Sequence, residues 1–308
     1  MSIDKITSVQ IKVPATSANC GPGFDCLGIA VTMYNTFTYE LLPQGKLELQ
    51  VEGEGAGKMQ ASPHNLAFAS FFKLWQELQQ NPVGLKISMV NAIPLSRGLG
   101  SSSSAIVAGL MAANFFAGFP KTKEELVKLA TAIEGHPDNV APALLGGFTI
   151  SFMDHENRAH TMRLIPAKPL QLIAAIPQMP LATAKARAAL PATIPLADGV
   201  FSMSRASLLV ACLLTGDYSK LPLALEDKLH QPYRLSLIPG AEAAFKAART
   251  QGAYQAIISG AGSTLMAYAP LEAEGAAIGH AMEAALAANH NPAVALNLTI
   301  DLEGAKVL

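Results

Sequence analysis

The chain has 308 residues, of which half are apolar and 15% charged, with a formal net charge of −1. A chain of that length and composition builds a large core, more readily as two domains than one, and is not a disordered segment. Its balanced charge and lack of a basic run leave no electrostatic footprint for nucleic acid or a membrane surface, so the expected partner is a small molecule.

Three cysteines, Cys20, Cys26 and Cys212, are an odd and widely spaced set that argues against a disulfide framework. Met1 to Lys12 is acidic and polar and lacks the apolar core of a signal peptide. The longest apolar run, Ala206 to Leu214, is about half of the roughly 20 residues that a membrane span needs. A reduced, cytoplasmic protein is expected.

Alternation at Val9, Ile11 and Val13 predicts an opening strand that ends at Pro14. A glycine-rich loop from Ala15 to Gly28 follows, then a strand to Leu42 that hairpins near Gln44 and Gly45 into Lys46 to Val51. Leu66 to Leu78 has helical spacing, with Phe68, Phe71, Phe72 and Trp75 as core, and Leu85 to Ile93 is strand-like. Ser102 to Phe116 reads as a helix of small residues, and the capping-box spacing of Thr122 and Glu125 starts a helix towards Ile133. Glu134 to Gly147 reads as a polar loop outside the core, and Phe148 to Met153 and Leu170 to Ile176 as strands around a hinge.

The second half alternates: a helix near Ser202 to Leu214, another after Gly240, a strand Ala256 to Ser259, a glycine turn, a strand Thr264 to Tyr268, a helix Gly275 to Ala288 and a strand Ala293 to Ile300. That ending suits an antiparallel sheet backed by helices, so the fold class is α+β.

Four segments carry residues suited to chemistry. The first is Pro94-Leu95-Ser96-Arg97-Gly98-Leu99-Gly100-Ser101-Ser102-Ser103-Ser104, which joins a strand to a helix. Its glycines allow close backbone approach, and a helix starting there aims free N–H groups and a positive dipole end at an anion, phosphate above all. It is neither G-x-x-x-x-G-K-[ST] nor G-x-G-x-x-G. A flexible turn with a serine N-cap is the plainer alternative.

The second is the first loop, which places Asn19 and Asp25 on constrained backbone; an Asx turn would explain them equally. The third, Glu134-Gly-His136-Pro-Asp138-Asn139, gathers polar groups. With one histidine it fits no zinc signature, whereas Mg²⁺ held by Glu134 and a loop serine is physically easier. The fourth is the Gly260-x-Gly262-Ser263 turn, which alone reads as a tight hairpin. Arg187 and Arg234 alone read as solvated surface residues, and Asn65 as an N-cap. Cys20 and Cys26 have no basic neighbour to form a thiolate.

Together these segments resemble the GHMP kinase superfamily. Its phosphate-loop pattern P-x-x-x-G-L-G-S-S-x-[AS] is met at Pro94, Gly98, Leu99, Gly100, Ser101, Ser102 and Ser104. A-T-S-A-N-x-G-P-G-F-D and G-H-x-D-N-V-A-P are similar to segments of its homoserine kinases. The resemblance implies a two-domain fold: a first domain over residues 1–165 with a left-handed βαβ crossover, and a ferredoxin-like second domain over 166–308.

It also implies ATP-dependent phosphorylation of the homoserine hydroxyl, on the way to threonine, by a homodimer. By the same resemblance residues 94–104 and Asn65 bind ATP, and Ser102 and Glu134 hold Mg²⁺. Asn19, Asp25, His136, Asp138, Asn139, Thr183, Arg187 and Arg234 bind the amino acid, with Asn139 and Arg187 nearest the chemistry. The turn at Gly260, Gly262 and Ser263 closes over the phosphate loop. The resemblance points to no clear proton acceptor.

Overall fold

Two antiparallel strands at the start of the chain set the frame for everything that positions the site. The computed structural model describes residues 7–308, so the first six residues of the signal-peptide reading lie outside it. β1 (Ser8–Ala18) pairs with the long β2 (Leu27–Leu42), and the register shifts between Pro14 and Ala15. Proline cannot donate to a ladder, and a bulge lets the strand continue past it. The strand therefore runs four residues beyond the expected stop, which shortens the loop.

β3 (Leu47–Gly53) does not form the expected hairpin with β2. After α1 (Leu66–Glu77) crosses over, β4 (Gly84–Asn91) inserts between them, antiparallel to β2 and parallel to β3. Gly84 permits the tight return, since a Cβ there would stand 2.2 Å from the Pro43 carbonyl. The unit is thus a parallel βαβ crossover, whose pairing spans too much sequence for local patterning to reveal.

α2 (Ser101–Phe116) and α3 (Lys123–Glu134) follow, the latter with its capping box in place. The polar loop expected from Glu134 to Gly147 is instead mostly helix: α4 (Pro137–Leu145) is buried at Asp138, Val140, Ala141 and Leu144. Proline is well tolerated in the first turn of a helix, so Pro137 starts α4 rather than forbidding it. Pro142 has no N–H for the Asp138 carbonyl, and Gly28 of β2 lies so close that a Cβ there would stand 1.9 Å from that oxygen. Helix and sheet therefore meet backbone to backbone beneath the site.

β5 (Phe148–Met153) pairs with β2 and with β6 (Ala159–Leu164), a strand that the sequence reading passed over. Phe68, Phe71, Leu74 and Trp75 of α1 fill a core under this sheet with Ile106 and Leu110 of α2.

The second sheet holds β7 (Gln171–Pro177), β8 (Gln255–Ile258), β9 (Leu265–Ala269) and β10 (Ala293–Leu298) in the order β10-β7-β9-β8. Between β7 and β8 lie α5 (Thr183–Ala188), α6 (Leu196–Thr215), α7 (Leu221–Ala224), α8 (Gln231–Arg234) and α9 (Ala241–Thr250). α10 (Gly275–Ala287) links β9 to β10, giving the ferredoxin-like pattern. Leu172, Met266 and Tyr268 of this sheet share a buried cluster with Leu27, Ile29, Ile93 and Leu99 of the first half.

α6 is longer than expected, because Asp198 and Arg205 break the apolar run without breaking the helix. It spans 20 residues with a mean hydropathy of 1.4, and Leu196 and Met203 on it are 84% and 64% exposed. Finally β11 (Lys306–Val307) returns to pair with β1, so the last residues belong to the first sheet.

Candidate active site

A cleft of about 540 Å³ is walled by residues from both halves of the chain. At one part of it, Gly100 takes φ +71 and begins α2 with no side-chain cap, while Gly100, Ser101 and Ser102 line the cleft. The first N–H groups of α2 therefore keep their capacity for an anion. Added Cβ atoms would stand 2.2 Å from the Ser259 carbonyl at Gly98 and 2.1 Å from Thr16 Oγ1 at Gly100, so both glycines are dictated by close approach.

The four serines diverge in role. Ser102 and Ser103 Oγ donate to Glu134 Oε1 at 2.8 and 2.9 Å, while Ser104 Oγ donates to the Ser101 carbonyl and accepts from Asn35 Nδ2. Ser103 and Ser104 are fully buried and, like Pro94, lie off the cleft wall. Leu95, Ser96, Arg97, Gly98 and Leu99 line it, although the Arg97 guanidinium is taken by the carbonyls of Leu95, Pro177 and Gln178.

Could Glu134 and Ser102 hold a magnesium ion? Two neighbouring ligands of an octahedral Mg²⁺ bound at about 2.0–2.1 Å are about 2.9 Å apart. The 2.8 Å between Glu134 Oε1 and Ser102 Oγ is an ordinary hydrogen bond close to that edge, so what fits the ion is the donor set, a carboxylate and a hydroxyl whose hard oxygens line one cleft. The described residues contain no cluster of three or more His, Cys, Asp and Glu side chains, which a zinc centre would need.

The charged part of the cleft is built from the turn after β1. Asn19 and Asp25 adopt φ 66 and 55, a left-handed conformation that Asn and Asp tolerate best. Asn19 Oδ1 accepts from the Asp25 N–H at 3.0 Å, and its Nδ2 donates to the Gly260 carbonyl at 2.9 Å. Arg187, 162 positions on from Asp25, grips both oxygens of that carboxylate at 2.7 and 2.9 Å. Its hydrogen bonds to Asp25 raise the guanidinium pKa. Both side chains are more than a third exposed, and such a pair is worth about 0–1 kcal/mol.

Arg234 is no surface residue: it is 2% exposed. Its Nε donates to the Ala186 carbonyl at 3.2 Å and Nη1 to the Gly260 carbonyl at 3.1 Å. Burial, then the charge of Arg187, pushes its pKa down to about 10, which leaves it charged at neutral pH. The ring of Phe24 lies 5.2 Å from its Cζ and 5.4 Å from that of Arg187, so the electron-rich ring face meets both guanidinium groups.

From α4, Asn139 Oδ1 accepts from Thr16 Oγ1 at 2.8 Å, which leaves its Nδ2 to the cleft. His136 Nδ1 meets Asp138 Oδ1 at 2.6 Å. Burial lowers the imidazole pKa, but the bond to Asp138 and the charges of Asp138 and Glu134 outweigh it and the net shift is upward. Thr183 lines the cleft at the start of α5. Asn65 caps α1 through Oδ1 to the Ala67 N–H and also lines the cleft, so cap and wall coincide there. Cys20 is buried with its thiol pushed up to about 12, unsuited to nucleophilic work.

The third segment reaches the other two. Ser259 Oγ donates to the Gly98 carbonyl at 2.7 Å and lies 2.8 Å from Ser17 Oγ, while the Gly260 N–H donates to the Ala18 carbonyl. Gly260 lines the cleft, whereas Gly262 and Ser263 do not. Thr16, Ser17 and Ser259 were missed in the sequence because their partners are remote. Their only signal was to sit inside segments already marked by glycine.

Comparison with known proteins gives this arrangement its relatives. Residues 65–147 match the GHMP kinases N terminal domain and residues 209–288 the GHMP kinases C terminal family. The homoserine kinase of Carboxydothermus hydrogenoformans is 43% identical over 89% of this chain and 88% of its own length. That of Trichormus variabilis is 43% identical over 97% and 99%. Among solved structures, homoserine kinase from Cytophaga hutchinsonii superposes with a TM-score of 0.88 at 29% identity, covering 100% and 99% of the two chains. Mevalonate kinase from L. major, at 18% identity and a TM-score of 0.68 over 96% and 95%, shares the fold. The chain belongs to the GHMP kinases, and within them to the homoserine kinase family.

Proposed function

We propose that this chain transfers the γ-phosphoryl group of ATP to the side-chain hydroxyl of L-homoserine, giving O-phospho-L-homoserine and ADP, a step towards threonine. One observation carries the reading: an uncapped, glycine-led helix start and the opposed charges of Asp25, Arg187 and Arg234 line a single cleft. Phosphoryl transfer asks a protein mainly for positioning and charge neutralisation, and both are within reach there.

In this reading the N–H groups at the start of α2 hold the triphosphate. Glu134 and Ser102 hold Mg²⁺, which when bound neutralises phosphate charge and orients the γ-phosphoryl group. Arg187 releases Asp25 to the substrate ammonium, and both arginines take the carboxylate. His136, kept in place by Asp138, and Thr183 bound the side-chain space, and Asn139 Nδ2 donates where negative charge gathers on transfer. Asn65 borders the nucleotide base.

The enzyme works as a cytoplasmic homodimer with its two domains meeting near residue 165, as the family resemblance supports. Light scattering after size exclusion checks the dimer. ADP release measured with homoserine, serine, mevalonate and galactose tests the activity. Homoserine should turn over fastest, and turnover of mevalonate alone, or of none of them, would overturn the assignment.

A further inference from the structure

His230 has no task in the mechanism above, yet it is fully buried and stands four residues before Arg234 on the same helical turn. Its Nδ1 lies 3.2 Å from Arg234 Nη1 and its Nε2 lies 2.7 Å from the Gly21 carbonyl. A guanidinium can only donate and a carbonyl can only accept, so one tautomer satisfies both: Nδ1 bare, Nε2 protonated. The preceding turn fixes the ring's backbone, since Asp227 Oδ2 accepts from the His230 and Gln231 N–H groups at 2.9 and 2.8 Å.

We propose that neutral His230 is a positioning residue that fixes the guanidinium of Arg234 for the amino-acid carboxylate. Through Gly21 it ties that guanidinium to the turn bearing Asp25. The inference rests on the reading of Arg234 as a substrate contact.

Three of the arginine's donor contacts are spent on His230 Nδ1, the Gly260 carbonyl and the Ala186 carbonyl, and among the described residues Nη2 has no protein partner. The fork is thus clamped on one side and open on the other, where it forms part of the cleft wall. Gly260 in turn receives Asn19, whose Oδ1 holds the Asp25 N–H, so the two sites for the substrate's charges share one hydrogen-bonded frame. The Phe24 ring, 5.4 Å from the imidazole, packs the same frame from the loop side. Burial and the charge of Arg234 favour the neutral imidazole against the opposing charges of Asp227 and Asp25.

Two substitutions separate the two ring nitrogens. In His230→Asn the amide oxygen falls near the Nδ1 position and still accepts from Arg234. In His230→Gln the amide reaches the Nε2 position and can meet Gly21, leaving Arg234 without that acceptor.

Steady-state kinetics of the full chain should show the homoserine KM of His230→Gln raised about tenfold, which corresponds to the loss of one such hydrogen bond. Its ATP KM should stay within about twofold, and His230→Asn should lie nearer the parent. Equal losses in both variants, or equal shifts in both KM values, would reduce His230 to a packing residue. Arg234→Met serves as the control. An unchanged homoserine KM there would overturn the substrate reading itself, whereas a raised one beside an unaffected His230→Gln would overturn only the present proposal. If neither His230 variant folds, ¹⁵N NMR of histidine-labelled parent enzyme decides: an Nε2-H tautomer whose Nδ1 resonance moves on adding homoserine supports the assignment, and an Nδ1-H tautomer or an imidazolium overturns it.

Discussion

The two ends of the cleft are made of different material. Where α2 begins, the wall is backbone: two glycines at positive φ, uncapped N–H groups and serines that mostly bond inward. Around Asp25 the wall is side chain, with charges drawn from positions as distant as Arg187, held by the Asp25 carboxylate, and Arg234, held by the carbonyls of Ala186 and Gly260. A backbone wall is sensitive to any added Cβ and indifferent to much side-chain chemistry. A side-chain wall has the opposite weakness.

The sharpest test of that contrast is Gly98→Val. With a Cβ placed 2.2 Å from the Ser259 carbonyl at φ +74, the variant should lose about 3 kcal/mol or more of stability, read by urea unfolding. A stable Gly98→Val enzyme would mean that the turns can separate freely. Next, Glu134→Gln should lower kcat about a hundredfold and shift the Mg²⁺ titration to higher concentration, with folding unchanged.

Arg187→Met tests the other wall. It should weaken homoserine by roughly 1.5–3 kcal/mol in kcat/KM while the ATP KM holds. If ATP suffers instead, Arg187 belongs to the nucleotide end.

Smaller effects separate serines that look alike. Ser104→Ala strands the Asn35 amide and should cost about 1 kcal/mol in stability without moving the ATP KM. Smallest is the His136 pair. Its imidazole pKa is raised above the ordinary 6.5, so the stabilisation is fully present below that value and is lost as pH rises through the raised one. The melting-temperature gap between parent and His136→Gln should narrow on going from acid to alkaline solution, and that narrowing, rather than the gap itself, is the small effect. A gap that widened would reverse the assignment.

The backbone wall was the more legible one, and the reason is physical. Gly98 and Gly100 satisfy a local steric demand, so their spacing is written in adjacent letters, as is the capping box at Thr122. α4 was hidden because Pro137, Asp138 and Asn139 are common in turns, and only the packing of Val140, Ala141 and Leu144 decides for helix. The place of β4 between β2 and β3 is a tertiary choice with no local trace. Asp25 and Arg187 were assigned to one pocket only through family resemblance, which did not foretell their ion pair, and nothing local marked Arg234 as buried, because its neighbours Ala186 and Gly260 come from elsewhere in the chain.

The return of β11 to β1 has a bearing on how this enzyme is made. Ile11 and Val307 face each other, and the Leu308 N–H reaches the Gln10 carbonyl. A nascent chain that has produced only its first half leaves one edge of β1 open, and synthesis of the entire ferredoxin-like half must intervene before that edge is covered. During that interval unpaired strand groups are available to neighbouring polypeptides. Fragments cut after β6 should therefore be prone to self-association, even though the glycine-led start of α2 is already present in them.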